Sequence, residues 1–224
     1  MKARLSVAIL LFFATSAAAQ QNDWLIVPGK RIGPITQDTS RADLDRIFGK
    51  ENLRDQDIDD GEGGALPATL VFPNETAASL AILWRNKRAR VDEVHICQSW
   101  YPRDPLLVPS CKWRTVNGVS LRTSLEKLES LNGGAFQINE WGTDGGPGLI
   151  ISWLGGRLSA YEGDKKKGWL ELRLEFQFRD GLTEQQHKLY DSIHWQKGVA
   201  LSSDPSLRGL HPIVSWMAVA FPDR

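Results

Sequence analysis

The densest group of carboxylates in the chain is the segment Asp-Gln-Asp-Ile-Asp-Asp-Gly-Glu at residues 55–62. Carboxylates at alternate positions are typical of an EF-hand loop, whose oxygen ligands surround Ca²⁺. The EF-hand pattern fails twice here, because its sixth position should be glycine and is Asp60, and its twelfth should be glutamate and is Leu66. The favoured interpretation is therefore a solvated acidic turn, and we predict no metal and no cofactor. A calcium site of another type is the alternative, with the candidate ligands Asp57, Asp59, Asp60 and Glu62.

The only two cysteines of the chain, Cys97 and Cys111, are predicted to form a disulfide. An isolated cysteine pair is typically oxidised in an exported protein. The N-terminal segment of this chain predicts that the protein is exported. A bond that closes a loop of about 15 residues stabilises a fold by ~3 kcal/mol. Zinc is not predicted, because no histidine or further cysteine lies at zinc-ligand spacing around the pair.

The segment between the two cysteines is a candidate binding loop. It contains Trp100, Tyr101 and Arg103 together with three prolines. Trp, Tyr and Arg dominate the energetics of many interfaces because they give a large contact area at a low entropic cost. The alternative is that this segment only joins two parts of the protein and that Trp100 packs against the core.

A second candidate loop contains Trp141 and Asp144. The pair Asp60-Gly61 returns 84 residues later as Asp144-Gly145. Asp-Gly is a favoured turn pair, so the recurrence is explained if both places need the same connection. The functional alternative is that two matching loops line one groove, with Trp141 beside the second loop.

No residue pattern in the chain indicates a reaction. There is no Gly-x-Ser-x-Gly elbow, phosphate-binding loop or dinucleotide fingerprint. Ser202, Asp204 and His211 could form a catalytic triad only if folding assembled them, which any chain of this length allows. We therefore predict a protein without catalytic activity, and a hydrolase with an unrecognised site is an alternative.

The elements that position these loops recur at the same offset of 84 residues. In each copy a Thr-Ser pair precedes a periodic leucine and a later glycine, which predicts a short capped helix that ends at glycine. The matched residues are Thr39-Ser40 with Thr123-Ser124, Leu44 with Leu128, and Gly49 with Gly133. We predict helices at 40–48 and 124–132, the first capped by Thr39 or Ser40, and the second capped by Thr123 with Glu126 completing a capping box. A constant offset predicts two copies of one supersecondary unit.

Strands are predicted after each helix. In the first copy they lie at 68–72, 79–84 and 91–96, and in the second at 136–139, 149–153, 157–161 and 170–178. Apolar residues alternate strictly with polar ones over 170–178, which predicts an antiparallel strand with one buried face. A third helix at about 183–193 opens with a Thr-x-x-Gln capping box, and an apolar strand is predicted at 213–221.

The fold class predicted from these elements is α+β: two tandem helix-plus-antiparallel-strand repeats that form a mainly antiparallel sheet, with a C-terminal helix and strand. The predicted boundaries are a signal peptide at 1–19, a first repeat at 20–98, a disulfide-closed junction loop at 99–112, a second repeat at 113–181 and the C-terminal elements at 182–224.

The segments Gly33-Pro34-Ile35 to Gly49 and Gly118-Val119-Ser120 to Gly133 resemble the repeat unit of the β-lactamase inhibitor protein family. They are also similar to the small outer-membrane-assembly lipoprotein domains that share this unit. The unit has a glycine at the position that Asp38 occupies in the first segment and Arg122 in the second. The chain also resembles a family of bacterial periplasmic proteins of uncharacterised activity, through Asn132-Gly133-Gly134-Ala135-Phe136 and Asp144-Gly145-Gly146. The likeness to the inhibitor family implies a protein partner.

The first nineteen residues are predicted to be a signal peptide. Lys2 and Arg4 precede an apolar run at 5–14, and three alanines at 17–19 supply the small residues needed for cleavage before Gln20. The apolar run is too short to span a bilayer, and no longer apolar segment follows. We therefore predict a soluble protein that is periplasmic or secreted.

The charge balance argues against two classes of partner. The whole chain has a formal net charge of zero, and removal of the signal peptide leaves about −2. Such a balance gives no general attraction to nucleic acid or to an anionic membrane. We predict a binding protein that contacts another protein, and a glycan or cell-wall ligand module that uses Trp100 and Trp141 is the alternative.

Overall fold

The computed structural model describes residues 23–59, 64–85, 88–97, 110–140, 148–163, 166–176 and 182–223. The predicted signal peptide and the cleavage position before Gln20 lie outside these ranges. The described part of the chain is α+β, with four α-helices and mostly antiparallel strands, as the sequence predicts.

The helices are short, and each begins at a side chain that caps its free backbone N–H groups. They are α1 (Arg41–Phe48), α2 (Leu125–Asn132), α3 (Glu184–Asp191) and α4 (Pro205–Gly209). Thr183 caps α3 and Gln186 completes a capping box there, which confirms the predicted start of the third helix. Helix α4 was not predicted, although Asp204 followed by Pro205 is a typical helix start.

The described residues form thirteen strands in two sheets. The strands are β1 (Leu25–Val27), β2 (Arg31–Ile32), β3 (Ile35–Thr36), β4 (Leu53–Asp59), β5 (Ala65–Val71), β6 (Leu80–Arg85), β7 (Arg90–Ile96), β8 (Arg114–Thr115), β9 (Gln137–Asn139), β10 (Gly148–Ser152), β11 (Trp169–Glu175), β12 (Val199–Leu201) and β13 (Ile213–Ala220). Short 3₁₀ turns lie at Lys50–Asn52 and Ser159–Tyr161. The smaller sheet has the order β3-β2-β1-β8, in which only β1 and β8 are parallel.

The larger sheet has nine strands in the order β12-β9-β10-β11-β13-β7-β6-β5-β4. Helix α1 is followed by β4, β5, β6 and β7, which lie side by side in chain order, and α2 is followed by β9, β10, β11 and β13, which do the same. The two groups meet where β13 pairs with β7, with Ala218 opposite His95. An insertion that holds α3, β12 and α4 separates β11 from β13, and it returns β12 to the outer side of β9.

The chain enters α1 and α2 through the same hydrogen bonds. The hydroxyl oxygen of Thr39 accepts from the backbone N–H of Thr36 at 2.9 Å, and that of Thr123 accepts from Ser120 at 3.0 Å. Because these threonines order the preceding turn, the next residue caps the helix in both cases. The cap of α2 is therefore Ser124 and not Thr123, and the capping box predicted for Glu126 is absent from this helix.

The main core lies between one face of the nine-stranded sheet and the helices together with the smaller sheet. Leucines on both α1 and α2, isoleucines of the smaller sheet and alternate residues of β7, β11 and β13 meet there and are almost wholly buried. The predicted alternation on β11 is confirmed, since Leu170, Leu172 and Leu174 are buried while their neighbours are not. A second, smaller buried cluster of Ile58, Ala68, Leu70 and Ala81 belongs to β4, β5 and β6.

The acidic segment is the main departure from the predicted secondary structure. A solvated turn was predicted at residues 55–62, but residues 55–59 belong to β4, which pairs with β5 along its whole length from Leu53 opposite Val71 to Asp59 opposite Ala65. Aspartate disfavours strands, but ladder hydrogen bonds and the burial of Ile58 override that preference. The strand predicted at 157–161 is also wrong, because this segment is a turn that ends in the 3₁₀ helix Ser159–Tyr161.

Candidate functional site

All five predicted contact residues, and two of the candidate metal ligands, lie outside the described part of the chain. These are Trp100, Tyr101, Arg103, Trp141 and Asp144, together with Asp60 and Glu62 of the acidic segment. Asp57 lies exposed on β4, and Asp59 is the last residue of that strand. Among the residues that the structure describes, no group of three or more His, Cys, Asp or Glu side chains could hold a metal ion.

The predicted disulfide is present. Cys97 follows β7 directly and is bonded to Cys111, with their Cα atoms 5.9 Å apart. The side chain of Cys97 is fully buried in the main core. Its backbone N–H donates to the carbonyl of Ser79 at 2.8 Å, so the disulfide is tied to the turn that precedes β6.

The same turn also holds the segment after Cys111. The backbone N–H of Lys112 donates to the carbonyl of Ala77 at 2.8 Å, and the indole N–H of Trp113 donates to the carbonyl of Ala78 at 2.8 Å. Trp113 is fully buried, so this hydrogen bond satisfies its one polar atom inside the core. Both ends of the disulfide-closed loop are therefore fixed to the protein.

The second face of the nine-stranded sheet, opposite the main core, carries a group of aromatic and charged side chains that sequence reasoning missed. Directly paired residues share a face, which places Ala81, His95, Ala218 and Glu171 in one row across four strands. Arg173 pairs with Trp216 in the neighbouring row. Glu93 lies two residues before His95 on the same face of β7.

Trp216 is at the middle of this group. The ring centroid of Trp216 lies 4.7 Å from the ring centroid of His95. The guanidinium carbon of Arg173 lies 5.1 Å from the same Trp216 centroid. A guanidinium within about 6 Å of an indole face is attracted by the ring quadrupole. The indole nitrogen itself is buried and makes no hydrogen bond with the described residues.

Two carboxylates pair with the side chains that contact the tryptophan. Glu93 lies 2.7 Å from the imidazole Nε2 of His95, and Glu171 lies 2.6 Å from the guanidinium Nη2 of Arg173. The arginine side chain is 41% exposed, so its outer face is accessible to another molecule. We call Glu93, His95, Glu171, Arg173 and Trp216 the central cluster.

A different charged network fastens α1 to β4 on the opposite side of the sheet. The carboxylate of Asp55 accepts hydrogen bonds from the Thr69 hydroxyl at 2.5 Å and from the Arg41 guanidinium at 3.0 Å, and Arg88 lies 3.0 Å away. Burial raises the pKa of Asp55, but the hydrogen bonds from Thr69 and Arg41 and the charges of Arg41 and Arg88 outweigh it. The net result is a pKa below the ordinary value of an aspartate. The network is structural, since its charges are compensated within the protein.

Asn132 explains the Asn-Gly motif found in the sequence. Its side-chain amide donates to the carbonyl of Trp153 at 3.0 Å, and its oxygen accepts from the backbone of Leu158 at 3.1 Å. The last residue of α2 therefore binds the turn at 153–158, and it is almost fully buried. This asparagine holds two segments together and has no exposed group for chemistry.

The three residues of the conceivable triad do not assemble. The single hydroxyl proton of Ser202 goes to Glu129, whose carboxylate oxygen lies 2.6 Å away, so it is not available to a histidine. Asp204 caps α4 and accepts from the backbone of His194. The ring of His211 lies 3.5 Å from the carboxylate of Glu126.

No family model, curated protein or solved structure matches this chain. No helix within the described ranges is long and apolar enough to cross a membrane. What the fold defines is therefore a class: an α+β protein with a disulfide and a nine-stranded sheet whose second face carries the central cluster.

Proposed function

We propose that this chain is an exported, non-catalytic binding protein that contacts another protein through the second face of its large sheet. The observation that carries the proposal is the central cluster, in which the guanidinium of a partly exposed Arg173 lies over the ring of Trp216. Tryptophan and arginine are the residues most enriched at the energetic centres of interfaces, and paired charges around them give specificity. The disulfide is compatible with an oxidising compartment outside the cytoplasm.

The proposal includes the tandem repeat. It is supported by the matched hydrogen bonds before α1 and α2, by the buried Leu44 and Leu128 on these helices, and by the final glycines Gly49 and Gly133, both at a φ near +80°. The same chain order of four strands after each helix supports it as well. Two such units side by side give one broad sheet, which is a suitable scaffold for a contact surface.

The predicted loop residues remain part of the proposal. Trp100, Tyr101 and Arg103 are bracketed by cysteines that are anchored to the core, and such anchoring lowers the entropic cost of binding. Trp141 and Asp144 are the contact residues proposed for the second loop. We propose no nucleic acid partner, because the charge of the chain is balanced.

A glycan or cell-wall ligand is the second candidate, and the central cluster also favours it. Sugar rings stack on indole faces, and carboxylates such as Glu93 and Glu171 accept hydrogen bonds from sugar hydroxyls. Titration with cell-wall fragments, followed by tryptophan emission, distinguishes the two. A shift that disappears in the Trp216→Leu variant selects the glycan over a protein.

The test of the protein partner is crosslinking and capture from periplasmic extract. Wild-type protein is compared with Trp216→Leu, Arg173→Ala and Trp100→Ala, with Lys188→Ala on the exposed face of α3 as the matched control. Leucine retains apolar volume at position 216, and near-UV circular dichroism verifies the fold. Equal recovery of the partner by wild type and both sheet-face variants would remove this face from the proposal, and equal recovery by Trp100→Ala would remove the loop.

A further inference from the structure

The outer edge of β4 is the longest free sheet edge in the described part of the chain. β4 has seven residues and is the last strand of the nine-stranded sheet, with β5 as its one described neighbour. In an antiparallel ladder, alternate residues point their N–H and C=O groups away from the paired neighbour. β4 therefore presents a row of backbone donors and acceptors along its outer side.

The other end of the same sheet shows how such an edge is completed. β9 follows α2 as β4 follows α1, and Gln137 at the start of β9 lies 84 residues after Leu53 at the start of β4. The outer side of β9 is covered by β12, which pairs antiparallel with Leu201 opposite Gln137 and Val199 opposite Asn139. No described strand occupies the corresponding position beside β4.

The side chains of β4 select the kind of strand that could be added. Asp55 is compensated by Arg41 and Arg88, whereas Asp57 is exposed and forms no ion pair with the described residues. Opposite charges on directly facing residues stabilise a strand pair, and like charges destabilise it. The edge is therefore matched to a strand with a lysine or arginine opposite Asp57.

A second copy of this chain does not meet that requirement. Antiparallel pairing of two β4 strands about Gln56 places Asp55, whose charge Arg41 and Arg88 already compensate, opposite Asp57, so it supplies no cation there. Pairing about Asp57 places two uncompensated carboxylates opposite each other. Asp57 thus acts against self-association in that register while it favours a basic strand.

We propose that the outer edge of β4 binds an extended, lysine- or arginine-containing segment of a partner protein as an added antiparallel strand. The backbone of the partner supplies the ladder hydrogen bonds, and the charge opposite Asp57 sets the preference for sequence. This inference rests on the proposed protein-binding function, but it uses a different surface from the central cluster.

The test uses a fluorescein-labelled heptapeptide, Lys-Val-Lys-Thr-Lys-Val-Lys, titrated with the folded protein and followed by anisotropy at low salt. A peptide with glutamate in place of every lysine is the control ligand. Asp57→Lys is the test variant, and Glu184→Lys is its matched control, because it makes the same charge change at an exposed position of α3. Amide chemical shifts of the isotope-labelled protein locate the bound peptide.

We expect the basic peptide alone to bind, with shifts confined to β4 and its neighbour β5. Asp57→Lys should weaken it by about fivefold, whereas Glu184→Lys should leave the affinity within about twofold. Equal binding of both peptides, no binding at millimolar concentration, unchanged affinity in Asp57→Lys or shifts elsewhere would each overturn the proposal.

Two further results would contradict it. If sedimentation shows a dimer that Asp57→Lys dissociates, a second copy occupies the edge. If the outward amides of β4 are protected from hydrogen exchange in the free protein, a segment of this chain already occupies the edge. If the Trp216→Leu variant loses a captured partner while the wild type binds no peptide, the edge proposal is wrong and the proposed function is still supported.

Discussion

Gly156 lies against the side chain of Asn132 so closely that a Cβ atom at position 156 would overlap the amide oxygen, carbon and nitrogen of that asparagine. The two residues belong to segments that are far apart in the chain, the end of α2 and the turn after β10. Their contact is held by hydrogen bonds from Asn132 to the backbone on both sides of the glycine.

Gly156→Ala is therefore expected to destabilise the protein. The added methyl group must displace a buried, fully bonded amide, and overpacking of this kind costs about 1–3 kcal/mol. Urea denaturation measures the free energy of unfolding. Gly134→Ala is the matched control, because a Cβ there meets nothing within 4 Å and its φ is not in the left-handed region. Equal midpoints for the two variants would show that the turn at 153–158 yields easily.

Loss of the disulfide should lower the free energy of unfolding by about 3 kcal/mol, because the unfolded chain regains the entropy of an open loop. The bond joins cysteines 14 positions apart. The measurement compares urea midpoints of the wild type with and without dithiothreitol, and those of the double variant Cys97→Ala, Cys111→Ala. Dithiothreitol should leave the double variant unchanged, and any shift there would indicate an effect other than reduction.

Arg122→Gly should stabilise the protein by up to about 1 kcal/mol. Arg122 adopts a φ of +67°, where a side chain is strained by roughly 1–2 kcal/mol, and glycine relieves that strain at a smaller entropic cost. The matched control is Asp38→Gly at the corresponding position of the first unit, where φ is not in the left-handed region. Glycine there should cost about 0.5–1 kcal/mol. Thermal unfolding measures both changes, and a destabilised Arg122→Gly would contradict the prediction.

The lowered pKa of Asp55 predicts how stability depends on pH. A carboxyl group with a lower pKa in the folded state contributes stability above its unfolded pKa near 4, and loses it as pH falls through the folded value. Asp55→Asn should cost about 1 kcal/mol at neutral pH. It should also make the loss of stability below about pH 4 shallower than in the wild type.

The measurement for Asp55 is the urea midpoint at several pH values between neutrality and the acid transition. Asp57→Asn on the same strand is the control, since Asp57 forms no ion pair with the described residues. A wild-type profile that is parallel to that of Asp55→Asn throughout would contradict the prediction.

Local signals were enough to locate α1, α2 and α3, whereas α4 was not predicted. Ser40 and Thr183 begin α1 and α3, because a hydroxyl before a periodic apolar run satisfies free N–H groups within the next turn. The strict alternation of Leu170, Leu172 and Leu174 was likewise sufficient for β11. The cap of α2 was assigned one residue early, because Thr123 and Ser124 are both capping residues and only the turn hydrogen bond to Ser120 separates their roles.

Helix caps and apolar alternation could not predict which strands pair. The residues of β4 carry a composition typical of a turn, and they form a strand because β5 supplies a ladder and Arg41 and Arg88 compensate Asp55. The central cluster was missed for a related reason. Trp216 looked like one more apolar residue of a buried strand, and its neighbours His95 and Arg173 come from two other strands.

The sequence by itself determined the first three capped helices, the alternating strand and the pair of cysteines, since each depends on residues within a few positions or on a single possible partner. The tertiary structure alone decided which strands adjoin and which face each residue occupies. That difference is physical: capping and periodicity act over one or two turns of chain, whereas the contact of Asn132 with Gly156 and the pairing of β7 with β13 exist only after distant segments meet.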